Sequence, residues 1–222
     1  MGYALLYESM LPSVLFARDK YLAADGIVLP TACDMFIAAS THDKMGFWDD
    51  VYGFDMSPMR DAGIREASVE VVPSETLIAP PSSFRFVDVT ACADAELDFT
   101  VPFTLHVGPS RDSPNQWRSG PAMAAGEVRL LRCFVVSFDA IFDTSKKAGG
   151  VYTSFTTGTQ GTPTHWKQVA LYLKQPLPVK AGDVITGMVG CTRGMEYKRA
   201  YDITVTYQLA GQQPATQLWQ LD

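Results

Sequence analysis

The sequence predicts a mainly β protein, an antiparallel β-barrel or sandwich with an N-terminal helix and a small helical arm. Three observations predict it. Apolar and polar residues alternate from about residue 66 onward, as they do across residues 201–209, which is typical of half-buried strands. Clusters of Gly and Pro, such as residues 158–163, separate the alternating segments. Residues 9–22 instead carry apolar side chains at helical spacing.

The first element is the helix over residues 9–22. Leu11 and Leu15 fall on one face at the 3.6-residue period, and Pro12 suits a first turn. An Asp-Gly pair follows at residues 25–26, and a glycine beyond the last turn commonly adopts the left-handed conformation that ends a helix. We therefore expect a left-handed stop at this pair, just beyond the helix.

The segments that follow are extended, and their alternation or apolar character predicts strands. These segments are 34–39, 84–89, 103–107, 127–142, 169–173, 184–189 and 201–209. Many strands separated by turns indicate an antiparallel barrel or sandwich.

Two stretches depart from this pattern. Residues 41–64 are too rich in large apolar side chains for a solvated loop and too interrupted for a strand. Within them, Ser57-Pro58 has the form of a helix cap followed by Pro at the first helical position. Residues 108–126, which are rich in Pro, Ser and Gly, indicate a flexible surface loop.

Composition excludes several classes of protein. The 222 residues are 47% hydrophobic and 19% charged, which is ordinary globular material able to bury a sizeable core. The formal net charge of −6 argues against direct nucleic-acid binding and suits a basic, arginine-rich partner. The four cysteines form no Cys-x-x-Cys motif and have no nearby histidine, so no metal or redox site is predicted. Without a signal peptide or an apolar run that could span a bilayer, we expect a protein of the cytoplasm, the nucleus or both.

Two motifs indicate the function. Tyr7-Glu8-Ser9-Met10 lies near the start, and Thr164-His165-Trp166 lies far downstream. Together, in this order, they resemble the substrate-pocket signatures of the protein arginine methyltransferases. Residues 15–22 and 51–57 resemble the same family, and the resemblance extends over nearly the whole chain.

The resemblance implies catalytic roles for Glu8 and His165. The family holds the target guanidinium with two glutamates of one hairpin, and Glu8 matches the second, while the first would precede Met1. Carboxylates suit this task because a charge-assisted bidentate pair fixes the planar cation. His165 would close the pocket and pair with a carboxylate of the N-terminal helices. Taken alone, Glu8 also fits a first-turn glutamate that interacts with the helix dipole, and a loop histidine is usually only solvated.

Substrate contacts are implied by the same resemblance for Tyr3, Met10 and Trp166. Met10 matches the methionine of the type I class, which makes asymmetric dimethylarginine, although its spacing fits a core methionine equally well. Trp166 would form a wall of the pocket, and Tyr3 matches a pocket tyrosine.

Residues 41–64 resemble the family's dimerisation arm. The aromatic residues expected at the dimer contact are Phe47, Trp48, Tyr52 and Phe54. The alternative is that this stretch packs into the chain's own barrel. The density of large apolar residues between polar turns favours an interface between subunits.

The family's nucleotide-binding half has no counterpart in this sequence, because no Gly-x-Gly-x-Gly follows a predicted strand and no acidic ribose partner is found. The complete enzyme would use S-adenosyl-L-methionine, whereas we expect this chain alone to bind none and to be inactive. Gly/Arg-rich protein substrates and a homodimer are also implied. Residues 1–30 would be the hairpin end and connecting helix, and residues 31–222 the substrate-binding barrel.

Two other interpretations remain open. One is a non-catalytic module that keeps the barrel for protein binding. The other is an unrelated β-sandwich hydrolase with paired carboxylates, which would need a second positioned acid that no motif supplies. A glycine-rich nucleotide loop upstream of Met1 would separate the enzyme from the binding module.

Overall fold

The computed structural model describes residues 1–108, 123–146 and 149–222. Within these ranges the chain forms ten strands, two α-helices and four short 3-10 helices. The strands are β1 (Ala32–Ser40), β2 (Ser68–Glu70), β3 (Leu77–Asp88), β4 (Phe99–His106), β5 (Val128–Asp143), β6 (Tyr152–Thr156), β7 (Gln168–Lys180), β8 (Val184–Arg193), β9 (Tyr201–Leu209) and β10 (Ala215–Leu221). The helices are α1 (Met10–Tyr21) and α2 (Ser57–Gly63), and the 3-10 helices are Tyr7–Ser9, Met45–Asp49, Ser74–Thr76 and Asp94–Leu97. Over the described ranges, no helix is both long and apolar enough to cross a membrane.

Two antiparallel sheets contain the strands, which confirms the predicted fold class. One sheet has the order β2-β7-β5-β1-β3, with β6 paired to β5, and the other has the order β10-β9-β8-β4. The predicted strand at residues 201–209 coincides with β9, and buried residues alternate along it with more exposed ones. This alternation orients one face of the sheet toward the core and the other toward solvent.

The inner faces of the two sheets share one hydrophobic core. Phe134 of β5 connects them, because its ring centroid lies 5.8 Å from that of Phe103 on β4 and 5.2 Å from that of Tyr207 on β9. Both contacts are edge-to-face, which is a favoured arrangement of aromatic rings. The barrel interior is therefore packed with side chains rather than open.

Strand β10 joins the second sheet to the first. The fully buried Trp219 donates its indole N–H to the carbonyl oxygen of Tyr172 on β7 at 2.9 Å. The same carbonyl accepts a hydrogen bond from Gln217 Nε2 at 2.8 Å, and Gln217 Oε1 accepts one from the Lys174 N–H at 3.0 Å. Because a buried indole N–H without a partner is costly, Trp219 fixes the relative position of the two sheets at this side of the barrel.

Helix α1 packs on the barrel through the predicted face. Leu11 and Leu15 are each 1% exposed and belong to the main core. The predicted helix, residues 9–22, agrees with α1 to within one residue at each end, but the left-handed stop expected at residues 25–26 is wrong, since Leu22 is already extended, with φ −69° and ψ 126°. Gly26 does not adopt a positive φ. Its lack of a side chain instead makes room for Leu22, because a Cβ at position 26 would lie only 2.6 Å from Leu22 Cδ1.

The helical arm, residues 41–64, leaves the barrel after β1. Its 3-10 helix, Met45–Asp49, lies against α2, and the Trp48 side chain borders Gly63. The Trp48 carbonyl oxygen accepts a hydrogen bond from the Met56 N–H at 2.9 Å. Met45 packs against a second, smaller hydrophobic cluster. The cluster consists of Ala38, Ile64, Val72, Leu77, Cys133, Val135, Ala170 and Tyr172.

The base of the arm is fixed by polar contacts to Glu70 on β2, whose side chain is 12% exposed. Its carboxylate accepts hydrogen bonds from Tyr172 Oη at 3.0 Å and pairs with His42 Nε2 at 3.2 Å. Lys44 Nζ lies 3.7 Å from the same carboxylate. Two hydrogen bonds and one ion pair thus converge on one mostly buried acid and attach residues 42–44 to the barrel.

The predicted cap of α2 is wrong by one residue. Met56 occupies the N-cap position, and Ser57 is the first helical residue. The Asp55 carboxylate accepts the Ser57 N–H at 2.9 Å, and this bond is the first cause of the lowered pKa of Asp55. The flexible loop predicted at residues 108–126 lies, apart from its ends, outside the described residues and stays a prediction.

Two carboxylates face each other across the first sheet. Asp34 of β1 is paired in register with Asp139 of β5. Ser83 donates its hydroxyl to Asp34 at 2.6 Å, whereas Oδ1 of Asp139 is buried and has no hydrogen-bond partner in the described part of the chain. Burial raises the pKa of both groups, and the negative charge of Asp34 raises that of Asp139 further.

We predict that Asp139→Asn stabilises the isolated chain at neutral pH. A carboxyl whose folded-state pKa lies above its ordinary value of 3.8 binds more protons in the folded state, so stability falls as pH rises through the folded pKa. The amide does not ionise and avoids this loss. Denaturant unfolding at several pH values should show the variant more stable at pH 7, with the difference shrinking toward pH 4. Asp61→Asn, which changes an exposed acid of α2, is the control, and an equal or larger gain there would contradict the explanation.

Candidate functional site

The first nine residues form an irregular turn on the end of the barrel. Leu5, Glu8 and Ser9 have positive φ angles of 68°, 71° and 52°. Such left-handed backbone is uncommon for residues other than glycine and persists where surrounding contacts maintain it. Leu5 is fully buried in the main core, which holds the turn against the barrel from below.

The loop between β8 and β9 provides the other contacts that maintain this backbone. The Glu8 N–H donates to the carbonyl oxygen of Arg199 at 2.8 Å. The Ser9 hydroxyl donates to the carbonyl oxygen of Lys198. Two consecutive carbonyl groups of the barrel loop therefore bind the two consecutive left-handed residues, and the Glu8 side chain is oriented by the backbone on which it stands.

A second turn, residues 164–167, lies beside the first. It is closed by the Lys167 N–H, which donates to the Thr164 carbonyl oxygen at 3.0 Å. The Trp166 ring stacks on Phe155 with centroids 5.4 Å apart and meets the edge of Phe138 at 6.1 Å. Trp166 also donates its indole N–H to the carbonyl oxygen of Met1 at 2.7 Å, so the two turns are joined directly.

A cavity of ≈ 140 Å³ lies between the two turns. It is lined by Met1, Gly2, Tyr3, Tyr7, Glu8, His165 and Trp166. Tyr3 and Tyr7 are stacked with ring centroids 5.7 Å apart, and the His165 and Trp166 rings are 4.1 Å apart. Cavities of ≈ 260 and ≈ 290 Å³ also occur in the described part of the chain, but neither contains a residue of the two motifs.

The charge at the cavity comes from the Glu8 carboxylate. Its Oε1 is 2.6 Å from Nη2 of Arg199, and the two side chains are 38% and 67% exposed. A carboxylate among aromatic rings can orient a planar cation by charge and by directed hydrogen bonds, while the rings offer faces that attract it. The arrangement therefore suits a guanidinium or a similar cation.

The structure brings together most of the residues that the sequence indicated for the site. Tyr3, Glu8, His165 and Trp166 all line the cavity. Met10 does not line it; its side chain is 48% exposed in the first turn of α1, and its proposed substrate contact stays a prediction. His165 is exposed, and its ring has no hydrogen-bond partner within the described ranges.

Two contributors were not found from the sequence. Tyr7 lines the cavity, although it had a place in the first motif and no predicted role of its own. Arg199 pairs with Glu8 from a position 191 residues away, and no local pattern marks it. Its place in a short polar segment between two alternating strands is the one available signal, because loops on a rigid scaffold often carry functional groups.

The arm exposes three of the four aromatic residues expected at a dimer contact. Phe47, Tyr52 and Phe54 are 59%, 96% and 70% exposed. Trp48 differs, since it is half-buried between the 3-10 helix and α2 and forms an edge-to-face pair with Phe47 at 5.4 Å. The chain's own barrel does not cover these three aromatic side chains. Their role in dimerisation stays a prediction.

Known sequences resemble this chain over nearly its full length. A family model described as the arginine methyltransferase oligomerization subdomain matches residues 31–212. The probable protein arginine N-methyltransferase 1.2 of Arabidopsis thaliana is 36% identical in an alignment of 217 residues that covers 96% of this chain and 53% of that protein. The ribosomal protein arginine N-methyltransferase rmt3 of Schizosaccharomyces pombe is 35% identical in an alignment of 221 residues that covers 95% of this chain and 37% of that protein.

Solved structures agree with the sequence comparison. A chain of the Trypanosoma brucei PRMT1 enzyme–prozyme heterotetrameric complex with AdoHcy superimposes with a TM-score of 0.81 at 27% identity, covering 100% of this chain and 66% of that one. Arabidopsis thaliana protein arginine methyltransferase 10 gives a TM-score of 0.75 at 20% identity, covering 100% of this chain and 68% of that one, and shows the fold alone.

The chain thus spans about half of the Arabidopsis relative and a little over a third of the fission-yeast one. This chain contains the two motifs in the expected order, the antiparallel barrel and the arm. From the family model, the relatives and the shared barrel, we conclude that this chain belongs to the protein arginine methyltransferase family and corresponds to its C-terminal portion, including the oligomerization subdomain.

Proposed function

We propose that this chain is the substrate-binding and oligomerisation portion of a type I protein arginine N-methyltransferase, which makes asymmetric dimethylarginine. The observation that carries the proposal is the meeting of Glu8, His165 and Trp166 at one cavity, although the two motifs lie far apart in the sequence. The names of the relatives support the methyl-transfer chemistry. The type I assignment rests on Met10, which matches the methionine of that class.

In this proposal Glu8 binds the guanidinium of the target arginine. The guanidinium stays protonated at any accessible pH, and its planar fork matches the two oxygens of a carboxylate. Such a pair fixes the orientation of the reacting nitrogen and stabilises positive charge as the methyl group arrives. The left-handed backbone at Glu8, held by the Arg199 carbonyl group, gives the carboxylate a defined direction before substrate binds.

The aromatic residues form the walls of the proposed pocket. Trp166 is fixed by Phe155 and by its bond to the Met1 carbonyl group, so its ring is a rigid surface. Tyr3 provides a second ring, stacked on Tyr7. His165 lines the cavity, is exposed, and has no hydrogen-bond partner among the described residues, so it can close the pocket or accept a proton once a partner carboxylate is supplied.

The methyl donor of the complete enzyme would be S-adenosyl-L-methionine. The cavity of this chain does not fit a nucleoside, because its volume of ≈ 140 Å³ is below the roughly 300–1,000 Å³ of small-molecule pockets and no glycine-rich turn lines it among the described residues. A separate nucleotide-binding region would therefore hold the donor. This chain contributes the arginine side of the reaction.

Oligomerisation through the arm is the second part of the proposal. The matching family model describes an oligomerization subdomain, and the trypanosome structure is a heterotetrameric complex. Phe47, Tyr52 and Phe54 supply the apolar contact, and a homodimer is the arrangement we favour. Gly/Arg-rich proteins are the proposed substrates, consistent with the net charge of −6, and the cytoplasm or the nucleus is the proposed location.

The alternative, a non-catalytic module that keeps the barrel for protein binding, needs no intact Glu8. We predict that Glu8→Gln, made in the complete enzyme, lowers turnover on the order of 10²-fold or more, because the amide keeps the shape and removes the charge that pairs with the guanidinium. Methylation of a Gly/Arg-rich peptide measures it. Glu196→Gln, which removes an exposed charge from the β8–β9 loop, is the control. Near-normal turnover by Glu8→Gln would exclude the proposed role.

We also predict that this chain alone binds no S-adenosyl-L-methionine and transfers no methyl group. The reason is the missing nucleotide loop, whose backbone N–H groups and acidic partner supply the affinity in such folds. Isothermal titration calorimetry of the chain should give no saturable heat, whereas the complete enzyme should bind under the same conditions. Micromolar binding by the chain would show that the donor site lies within these residues.

A third prediction concerns the arm. Burial of an exposed aromatic side chain is worth roughly 1.5–3 kcal/mol, so the uncovered arm should drive concentration-dependent self-association of the chain. Replacing Tyr52 and Phe54 by Asn should give a monomer with unchanged β-sheet circular dichroism. Asn suits position 52, where φ is 55°. Sedimentation velocity measures the association.

The matched control for the arm is Tyr152→Thr, which removes an exposed ring from β6 and should leave association unchanged. Two results would contradict the arm's role. One is a parent chain that stays monomeric at all concentrations. The other is unfolding of the Tyr52/Phe54 variant, which would mean that these side chains belong to the chain's own core.

A further inference from the structure

The loop that carries Arg199 is short and is closed by backbone hydrogen bonds. It connects β8 to β9, and the Gly194 N–H donates to the Ala200 carbonyl oxygen at 2.9 Å, which closes it at its base. The Ala200 N–H in turn donates to the Tyr197 carbonyl oxygen at 3.0 Å. A Cβ at position 194 would lie 2.6 Å from the Tyr197 carbonyl oxygen, so only glycine allows this conformation. The loop therefore presents residues 198 and 199 to the site in a fixed position.

Arg199 makes two separable contacts with Glu8. Its carbonyl oxygen accepts the Glu8 N–H at 2.8 Å, and this contact needs no particular side chain. Its guanidinium donates from Nη2 to Glu8 Oε1 at 2.6 Å, and this contact occupies an oxygen that a bound guanidinium would need. The first contact positions the acid, and the second covers it.

We infer that the Arg199 side chain is an internal competitor for the target arginine: it neutralises Glu8 in the empty site and is displaced when a substrate guanidinium enters. This inference rests on the role proposed for Glu8. The chemistry is the same in both states, since one guanidinium replaces another at one carboxylate. The arginine side chain is 67% exposed, so no packing has to be broken for it to move into solvent.

The exposure of the pair also limits the strength of the competition. Ion pairs between exposed side chains are weak, and salt screens them further. We therefore expect removal of the Arg199 side chain to lower the KM for an arginine peptide by about two- to fivefold. The gain should diminish as ionic strength rises, because the competing contact weakens in the parent protein.

The test uses the complete enzyme with the substitution Arg199→Gln. Glutamine keeps the carbonyl group that holds Glu8 and removes the cation. We measure KM and kcat for a Gly/Arg-rich peptide and the inhibition constant of ethylguanidinium. Both measurements are made at about 20 mM and about 300 mM salt, because the screening of exposed charges differs strongly between these two concentrations. Ethylguanidinium reports on the pocket alone, because it has no flanking residues. We expect both KM and the inhibition constant to fall at low salt, with kcat within about twofold of the parent value.

A matched control separates this effect from a general change of charge. Arg129→Gln breaks another arginine–glutamate pair, in which Arg129 Nε lies 2.6 Å from Glu127 Oε1. This pair is at the N-terminal end of β5, and neither residue lines the cavity. This variant should retain the KM and the inhibition constant of the parent. Arg199→Lys, which keeps the charge but not the planar fork, should give values between those of the parent and Arg199→Gln.

Each result decides the inference. A KM that is unchanged in Arg199→Gln, or that shifts equally in Arg129→Gln, overturns it. A KM that rises, or a kcat that falls more than about tenfold, means that the Arg199 side chain supports Glu8 and does not compete for it. Failure of the proposed function is distinguishable, because Glu8→Gln would then remain active whatever the outcome at Arg199.

Discussion

The site depends on one contact between distant parts of the chain, the binding of residues 8–9 by the carbonyl groups of residues 198–199. Left-handed backbone at Glu8 and Ser9 is unfavourable on its own, and these two bonds supply the surroundings that maintain it. The direction of the Glu8 carboxylate is therefore a property of the barrel as much as of the N-terminal turn. An acid oriented before substrate arrives loses little freedom on binding, which is the condition for effective electrostatic stabilisation.

The barrel can impose this geometry because its two sheets are fixed relative to each other. Trp219 and Gln217 share the Tyr172 carbonyl group as acceptor, and Phe134 contacts rings of the opposite sheet. The loop with residues 198–199 extends from the second sheet, whereas Trp166 packs on Phe138 of the first. A shift between the sheets would separate Glu8 from Trp166. Core packing thus determines the shape of a cavity that lies at the end of the barrel.

Much of this could be predicted from the sequence, and the exceptions have physical causes. Alternation predicted β9 because one of its faces is buried, and a long apolar run predicted β5, whose residues 133–138 are all buried. In contrast, β2, β6 and β10 are short or largely exposed and carry a weak pattern. Glu8 and His165 were found through their motifs. Arg199 was not, because its partner lies 191 residues away and no local periodicity encodes such a contact. Trp48 was expected at the surface, since a sequence does not show that α2 folds back over it.

The arm combines a rigid base with an uncovered tip, and this division follows from the chemistry of its residues. At the base, His42, Lys44 and Tyr172 surround the Glu70 carboxylate, and Met45 packs on the second hydrophobic cluster. At the tip, Tyr52 and Phe54 have no such partners in the described chain. A flexible base would add the cost of ordering the arm to any association, whereas a fixed base presents the aromatic tip already in place. In the proposed association through the arm, the polar cluster at Glu70 would contribute without lying at the contact itself.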